Sequence, residues 1–257
     1  MERRQRIDRI RQWLREDGLL STLRLICTRS YQRIFPPVPP THPFDLKHAV
    51  DTSGLILGRK LRSNHANDIY NTAYWGTAPS LLYGAIERWR ETLPQDELDE
   101  RSYTFADVGC GKGRVVMLAS DLPFRRVIGI DLNAALVSTA QQNLTQWMTK
   151  HHACDRVDVL AVDAMEYPLP EGPMLLYLFN PFDAPLMERF VDRLCSLRRE
   201  RSAPIDVIYV FPFHAQFFAQ HAEVRLLWQG DVALSEEDTA ADIFRKDREG
   251  CRIYRLD

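Results

Sequence analysis

Residues 105–113 read Phe-Ala-Asp-Val-Gly-Cys-Gly-Lys-Gly, an apolar run carrying one acid and closing on three glycines at alternate positions. Phe105 and Val108 suit a buried strand, while Val115, Val116 and Leu118 resume an apolar pattern suited to a helix. Gly109, Gly111 and Gly113 therefore fall in the turn between them, where a backbone without Cβ takes unusual φ values and lets a ligand come close. The next apolar run, Val-Ile-Gly-Ile at 127–130, ends at Asp131, placed to accept hydrogen bonds from both hydroxyls of a ribose. Strand, glycine turn, helix, strand and acid together make a nucleoside-binding half-site.

The spacing selects among nucleoside ligands. Dinucleotide turns read G-x-G-x-x-G, because a pyrophosphate needs a helix N-terminus at a fixed distance. Here the glycines read G-x-G-x-G, and Asp107 stands two residues before the first of them. That acid would repel a pyrophosphate and would hold, directly or through water, an ammonium group. S-adenosylmethionine (SAM) carries an ammonium and a sulfonium and no phosphate. On these residues the chain resembles the class I SAM-dependent methyltransferases, whose first motif ends D-x-G-x-G-x-G. Asp107, Gly109, Gly111 and Gly113 match that motif residue for residue, and Asp131 matches the family's ribose-binding acid.

The resemblance implies SAM as cofactor and places further residues around it. Asp163, followed by Ala164 and Met165, is similar to the family position that accepts from the adenine amine, with Leu132 and Met165 packing on the adenine faces. Phe179-Asn180-Pro181-Phe182 resembles the N-P-P-aromatic motif of methyltransferases that modify a planar amine, with one proline missing. In that family the Asn oxygen and a following carbonyl accept from the target amine while the ring stacks on the base. Asn180, Pro181 and Phe182 are accordingly the candidate catalytic residues, and the shortened spacing favours an amine other than a nucleobase. Asn-plus-aromatic segments at this strand end also occur in seven-strand lysine methyltransferases, and Asn71–Pro79 loosely resembles the tyrosine-bearing segment of their non-SET members. The expected acceptor is thus a nitrogen on a protein lysine or a small-molecule amine, with nucleic acid possible but less favoured. Two alternatives compete. An NAD-dependent oxidoreductase is disfavoured by the glycine spacing and Asp107, and a non-catalytic interaction protein that keeps a SAM site would show a damaged motif, whereas this motif is intact.

The remainder of the chain is ordinary for a folded protein. Its 257 residues are 45% hydrophobic and 26% charged, enough apolar content for a full core. A net charge of −2 gives no reason to expect non-specific nucleic-acid binding by the whole molecule. Cysteines at 27, 110, 154, 195 and 251 form no C-x-x-C pair and leave an odd one over, which points to reduced thiols in a cytoplasmic protein without a zinc site. His151-His152 makes no metal pair, because neighbouring side chains diverge, and His214 is a lower-ranked candidate for a general base. No apolar stretch approaches the length of a membrane span, and no targeting segment stands out.

Along the chain, residues 1–40 form a separate attachment to a catalytic domain at 41–257. Ile7, Ile10 and Leu14 mark an amphipathic helix among many arginines, and nine arginines against four acids through residue 34 give a local +5. The proline-rich stretch at 35–44 breaks any helix. Residues 45–67 read as irregular, and a helical pattern begins at Asp68, with Pro79 starting a second helix. Strands are expected at 104–108, 126–131, 157–162, 174–180 and 205–211, with helices at 113–121, 134–149, 184–199 and 213–221. Such alternation implies parallel pairing through right-handed crossovers. The tail reads as strands at Val224–Trp228, Asp242–Arg245 and Cys251–Leu256, with a hairpin turn at 247–250. The expected fold is α/β: a doubly wound, mostly parallel seven-strand sheet with a C-terminal antiparallel hairpin, plus an N-terminal helical extension.

Overall fold

The structure, a computed structural model, describes residues 40–94, 99–150, 153, 154 and 156–257. The expected N-terminal helices and residues 35–39 of the proline-rich stretch, together with the His151-His152 pair, lie outside the described residues; contrary to expectation, the end of that stretch opens a helix at Pro43, where a proline is tolerated in a first turn. Pro43–His48 forms α1, and Leu55–Ile56 (β1) pairs antiparallel with Tyr74–Trp75 (β2). Pro79–Thr92 forms α2, which begins on a proline whose missing N–H is harmless in a first turn.

Alternation then runs as the apolar pattern predicts. Thr104–Val108 (β3), Arg114–Ser120 (α3), Arg126–Asp131 (β4), Ala134–Trp147 (α4) and Val157–Ala161 (β5) lead to Met174–Phe179 (β6), Ala184–Arg199 (α5) and Ile205–Val210 (β7). Val224–Ala233 (β8), Glu236–Ala241 (α6) and Arg248–Leu256 (β9) complete the chain. The seven-stranded sheet has the order β5-β4-β3-β6-β7-β9-β8. The first five strands are parallel, and β9 inserts antiparallel between β7 and β8. Strand order reverses between β3 and β6, and a ligand cleft opens beyond the carboxyl ends at that switch.

The central strands bury both faces, so every residue of β3 and β7 is buried. One face packs on α2, α3 and α4 through Trp89, Phe105, Met117 and Phe124, and the other on α5 through Ile128, Met187 and Phe190. One polar cluster within this core is fully paired. Asp206 accepts from Trp89 Nε1 at 2.9 Å and from Arg255 Nε at 2.7 Å, all three side chains being buried. Removing one partner of such a pair would strand a buried charge and cost about 3–5 kcal/mol.

Four expectations are corrected. Residues 213–221 form a turn and one short 3-10 segment, Phe218–Gln220, in place of a helix. The Phe218 ring is buried between Tyr209 and Tyr254, stacking on the latter at 4.4 Å, and this packing overrides helical spacing. Asp242–Arg245 is not a strand: it follows α6, which is capped by Ser235, and bends at Arg245 with φ 54°. Arg248–Gly250 is strand β9, paired with Asp231–Ala233, so β8 and β9 are joined through α6 and not by a tight turn. Asp68 starts no α-helix: Ala66–Tyr70 is a 3-10 segment leading to β2, and 45–67 holds part of α1, all of β1 and a 3-10 turn. Among the described residues no helix is long and apolar enough to cross a membrane.

Candidate active site

The glycine turn is where the sheet meets the cleft. Gly109, Gly111 and Gly113 have φ of 82°, 53° and 84°, the left-handed region that side chains disfavour. Each glycine is required by a different neighbour. A Cβ at Gly109 would stand 3.0 Å from Pro181 Cβ, one at Gly111 would overlap the Tyr74 ring, and one at Gly113 would press on Ala140 of α4 at 3.0 Å. Thus only Gly109 borders the cleft, while Gly111 and Gly113 admit packing from β2 and α4.

Asp107, Asp131, Leu132, Asp163 and Ala164 all line one cleft with Gly109, as the motif reading expects. Asp107 is buried, and burial drives its carboxyl well above the usual range, with the Asp131 charge adding to the effect. No hydrogen bond from the described residues offsets this, so a cationic group in the cleft would answer an unmet need. Asp131 is also pushed up by burial, but backbone N–H groups of Asn133 and Gly111 hold it at 2.8 and 2.9 Å and draw it back down. A carboxylate has about four lone-pair sites, so each oxygen of Asp131 retains room for a ribose hydroxyl. Asp163 accepts from Met165 N at 2.8 Å and from Asn67 Nδ2 at 2.6 Å, which fixes its plane at the far end of the cleft. Leu132, Ala164, Ile130 and Val162 supply apolar walls there. An ammonium partner at one end, ribose acceptors in the middle and an apolar slot closed by an acid at the other fit SAM group by group.

No periodicity or motif signals the clamp built from 45–77. Arg114, the first residue of α3, is buried, and its guanidinium donates to Thr52 Oγ1 at 2.6 Å and Thr77 O at 3.1 Å, with Asp45 at 3.3 Å. Burial pulls the Arg114 pKa down while Asp45 opposes the shift. Asp45 also caps the Thr52 and Ser53 N–H groups at 2.8 and 2.6 Å; these bonds and Arg114 outweigh burial and keep its carboxyl below the usual range. Tyr74 donates to Thr52 O at 2.6 Å, which holds its ring on Gly111. The one available signal was an arginine opening an otherwise apolar helix.

Asn180 leaves β6 in the left-handed region, with φ 42°, and its Oδ1 accepts the Tyr209 hydroxyl at 2.9 Å. The Thr72 hydroxyl donates to Asn180 O at 2.8 Å, with Pro181 O at 3.2 Å, and the Thr72 N–H reaches Pro181 O at 3.4 Å, so both carbonyls are tied to the 71–73 segment. Phe182 is buried against Phe190 and borders the cofactor cleft, where it packs the core. It does not wall the neighbouring cavity as the motif resemblance implied. That second cavity adjoins the first across Thr72, Ala73, Trp75 and Phe179, and it continues between Asn180, Phe211, Phe244, Asp242, Lys246 and Glu249. His214 is buried, and burial lowers its pKa against the opposing charge of Asp183; it lines neither cavity. Cys110 is buried in the glycine turn, with its thiol pushed well up by burial, and is no nucleophile.

Among the described residues, two groups of metal-capable donors lie within 4.8 Å: Cys195, His221 and Glu223, and His65, Asp163 and Glu166. Their members already serve other contacts. His221 faces Asp192 at 3.0 Å, Glu223 accepts from Arg199 at 2.5 Å, and Asp163 holds Asn67.

The chain is similar to several known methyltransferases. The family described as "Methyltransferase domain" matches residues 105–200. A tRNA (guanine-N(7)-)-methyltransferase of Dictyostelium discoideum is 26% identical over 219 residues, covering 77% of this chain and 74% of that protein. Similar solved structures include the N-methyltransferase NodS of Bradyrhizobium japonicum, with TM-score 0.44 and 11% identity over 69% of this chain and 96% of that one. A putative RNA methyltransferase of Pyrococcus horikoshii has TM-score 0.43 and 18% identity over 66% of this chain and 81% of that one.

Proposed function

We propose that this chain, a class I S-adenosylmethionine-dependent methyltransferase, transfers the methyl group to an amine nitrogen on a protein lysine or a small molecule. The observation that carries the acceptor class is the second cavity. Trp75, Phe179, Phe211 and Phe244 present aromatic surfaces there, and Asp242 and Glu249 present carboxylates. Aromatic faces and acids together attract an ammonium group and its methylated products. SAM, when bound, supplies an electrophilic methyl on a sulfonium that departs as a neutral thioether; an acceptor that enters as an ammonium must first give a proton to water or to a lining carboxylate, so that its nitrogen lone pair is free to attack.

The protein's contribution is positioning and exclusion of water. Asp107 would hold the amino-acid ammonium, Asp131 the ribose, and Asp163 with Leu132 and Ala164 the adenine. Asn180 sits at the border of the two cavities. Its Oδ1 keeps a second lone pair beside the Tyr209 bond, to accept from an amine N–H and aim the nitrogen lone pair at the methyl carbon.

A second reading, methylation of guanine N7 in tRNA, is favoured by the name of the Dictyostelium relative and by the basic N-terminal arm. Against it stands the charge of the catalytic domain. Of 33 Lys and Arg and 35 Asp and Glu, nine and four lie before Pro40, which leaves 24 bases against 31 acids on the remainder. A net-acidic domain gives less reason to expect binding to a phosphate backbone, which depends on neutralising charge.

Incubation of the purified chain with methyl-labelled SAM and extract from cells lacking the gene separates these readings. Label recovered in protein as methyl-lysine, or in a small amine, supports the proposal. Label recovered in RNA as 7-methylguanosine overturns it in favour of the second reading.

A further inference from the structure

The second cavity already contains an ammonium group, and it belongs to the chain itself. Lys246, on the bend between α6 and β9, places Nζ 5.1 Å from the centroid of the Phe211 ring and 2.8 Å from Glu249 Oε2. Both partners line the cavity, as does Lys246. Phe211 is held there against its conformational preference. It leaves β7 with φ 49°, pinned by its N–H on Gly250 O at 2.8 Å, and its ring remains 41% exposed. A non-glycine residue in this region is strained and persists where the surroundings enforce it. Glu249 is the better buried member of the ion pair, with a side chain 14% exposed against 40% for Lys246. The anion and the ring are thus fixed in the fold, whereas the lysine is the more exposed partner on a bend.

We infer that Phe211 and Glu249 form the ammonium subsite of the acceptor cavity, and that Lys246 fills it as a built-in competitor until a substrate cation displaces it. The inference rests on the amine reading above and narrows it to acceptors, or methylated products, that carry positive charge when they bind. A cationic ligand must expel Lys246, so its apparent affinity falls by the fraction of time the lysine is away. An uncharged molecule of the same shape gains nothing from Glu249 or the ring quadrupole.

Titration of the full chain, saturated with S-adenosylhomocysteine, with choline and with its uncharged tert-butyl isostere tests this by calorimetry or ligand-detected NMR. Lys246→Met should bind choline at least threefold more tightly than the parent, with no matching gain for the isostere. Lys246→Gln, which keeps a polar side chain on the bend, should behave the same way, and circular dichroism verifies that both variants are folded. Adding Glu249→Gln or Phe211→Leu to Lys246→Met should abolish the gain. Equal choline affinity in parent and Lys246→Met, equal gains for choline and the isostere, or no choline binding by either lysine variant would overturn the subsite. These readouts involve no methyl transfer. Choline binding alongside label in RNA would therefore reject the acceptor and keep the cation site, and the converse result would reject only the site.

Discussion

The Tyr209 hydroxyl donates to Asn180 Oδ1 at 2.9 Å while accepting the His214 backbone N–H at 3.2 Å. A hydroxyl has one proton, so this arrangement settles which way the Asn180 amide faces. The strand ends β6 and β7 are thereby tied together at the border of the two cavities.

Tyr209→Phe should release Asn180 with little change in fold. Stability should fall by about 1 kcal/mol for the lost hydrogen bond. Turnover should fall more than S-adenosylhomocysteine affinity, because Asn180 lines the second cavity, proposed for the acceptor, and not the first. Asn180→Ala should act more strongly, lowering turnover by tens to about a thousandfold, or roughly 2–4 kcal/mol of lost transition-state positioning. Calorimetry alongside a methylation assay separates the two quantities, and normal turnover in Asn180→Ala would reduce the residue to a strand-ending turn.

Asp131→Ala should weaken S-adenosylhomocysteine binding roughly ten- to a hundredfold, the ~1.5–3 kcal/mol typical of a charged acceptor. The same substitution strands the Gly111 and Asn133 N–H groups, so the melting temperature should drop as well. Unchanged affinity in a folded variant would remove Asp131 from the ribose site.

Asp107 sets stability against function. Burial raises its carboxyl well above 3.8, so the folded state retains this proton after the unfolded chain has released it. Its contribution is complete at pH below 3.8 and is lost as pH rises through the folded value. Asp107→Asn should therefore flatten the alkaline side of the stability profile and raise the ligand-free melting point at neutral pH, by about 2–4 °C for each kcal/mol recovered. The same variant should bind S-adenosylhomocysteine less well, having lost the partner of its ammonium. A series of melts across pH, with and without ligand, reads both effects.

Gly111→Ala should be the most damaging alanine substitution in the turn. It combines φ 53° with a Cβ inside the Tyr74 ring, whereas Gly109 and Gly113 would gain tight contacts at 3.0 Å. Paired with Tyr74→Ala it should lose less than the sum of the two single costs, since the clash is removed. A double-mutant cycle in urea measures that coupling.

A chain beginning at Pro40 should fold and bind S-adenosylhomocysteine, because the sheet and its covering helices all lie at 43–257. Insolubility of that chain would make the arginine-rich arm part of the core.

Much of this molecule was legible because parallel strands covered on both faces are written as continuous apolar runs. β6 and β7 announce themselves in Met-Leu-Leu-Tyr-Leu-Phe and Ile-Asp-Val-Ile-Tyr-Val. The acids that line the first cavity were legible for a related reason: Asp131 and Asp163 stand where such a run stops, and Asp107 interrupts one just before the glycines. Residues 45–77 were not, since their order comes from long-range polar contacts, such as Arg114 to Thr52, that leave no periodicity behind. Asn180 shows the limit of motif reading. Asparagine tolerates left-handed backbone, so φ 42° alone would favour it there, whatever it does to a substrate. Phe211 and Lys246 escaped notice because one is strained at a strand end and the other follows a segment, Asp242–Arg245, that was expected to be a strand and instead bends.

The Arg114 clamp gives the cleft a remote witness. The guanidinium that follows the glycine turn is gripped by Thr52, whose amide, like that of Ser53, ends on Asp45. Any molecule that steadies the turn must also suppress local opening of this upstream segment, more than fifty residues before it in the chain for Thr52. Deuterium uptake at the Thr52 and Ser53 amides would then report occupancy of the cleft from a place no ligand touches.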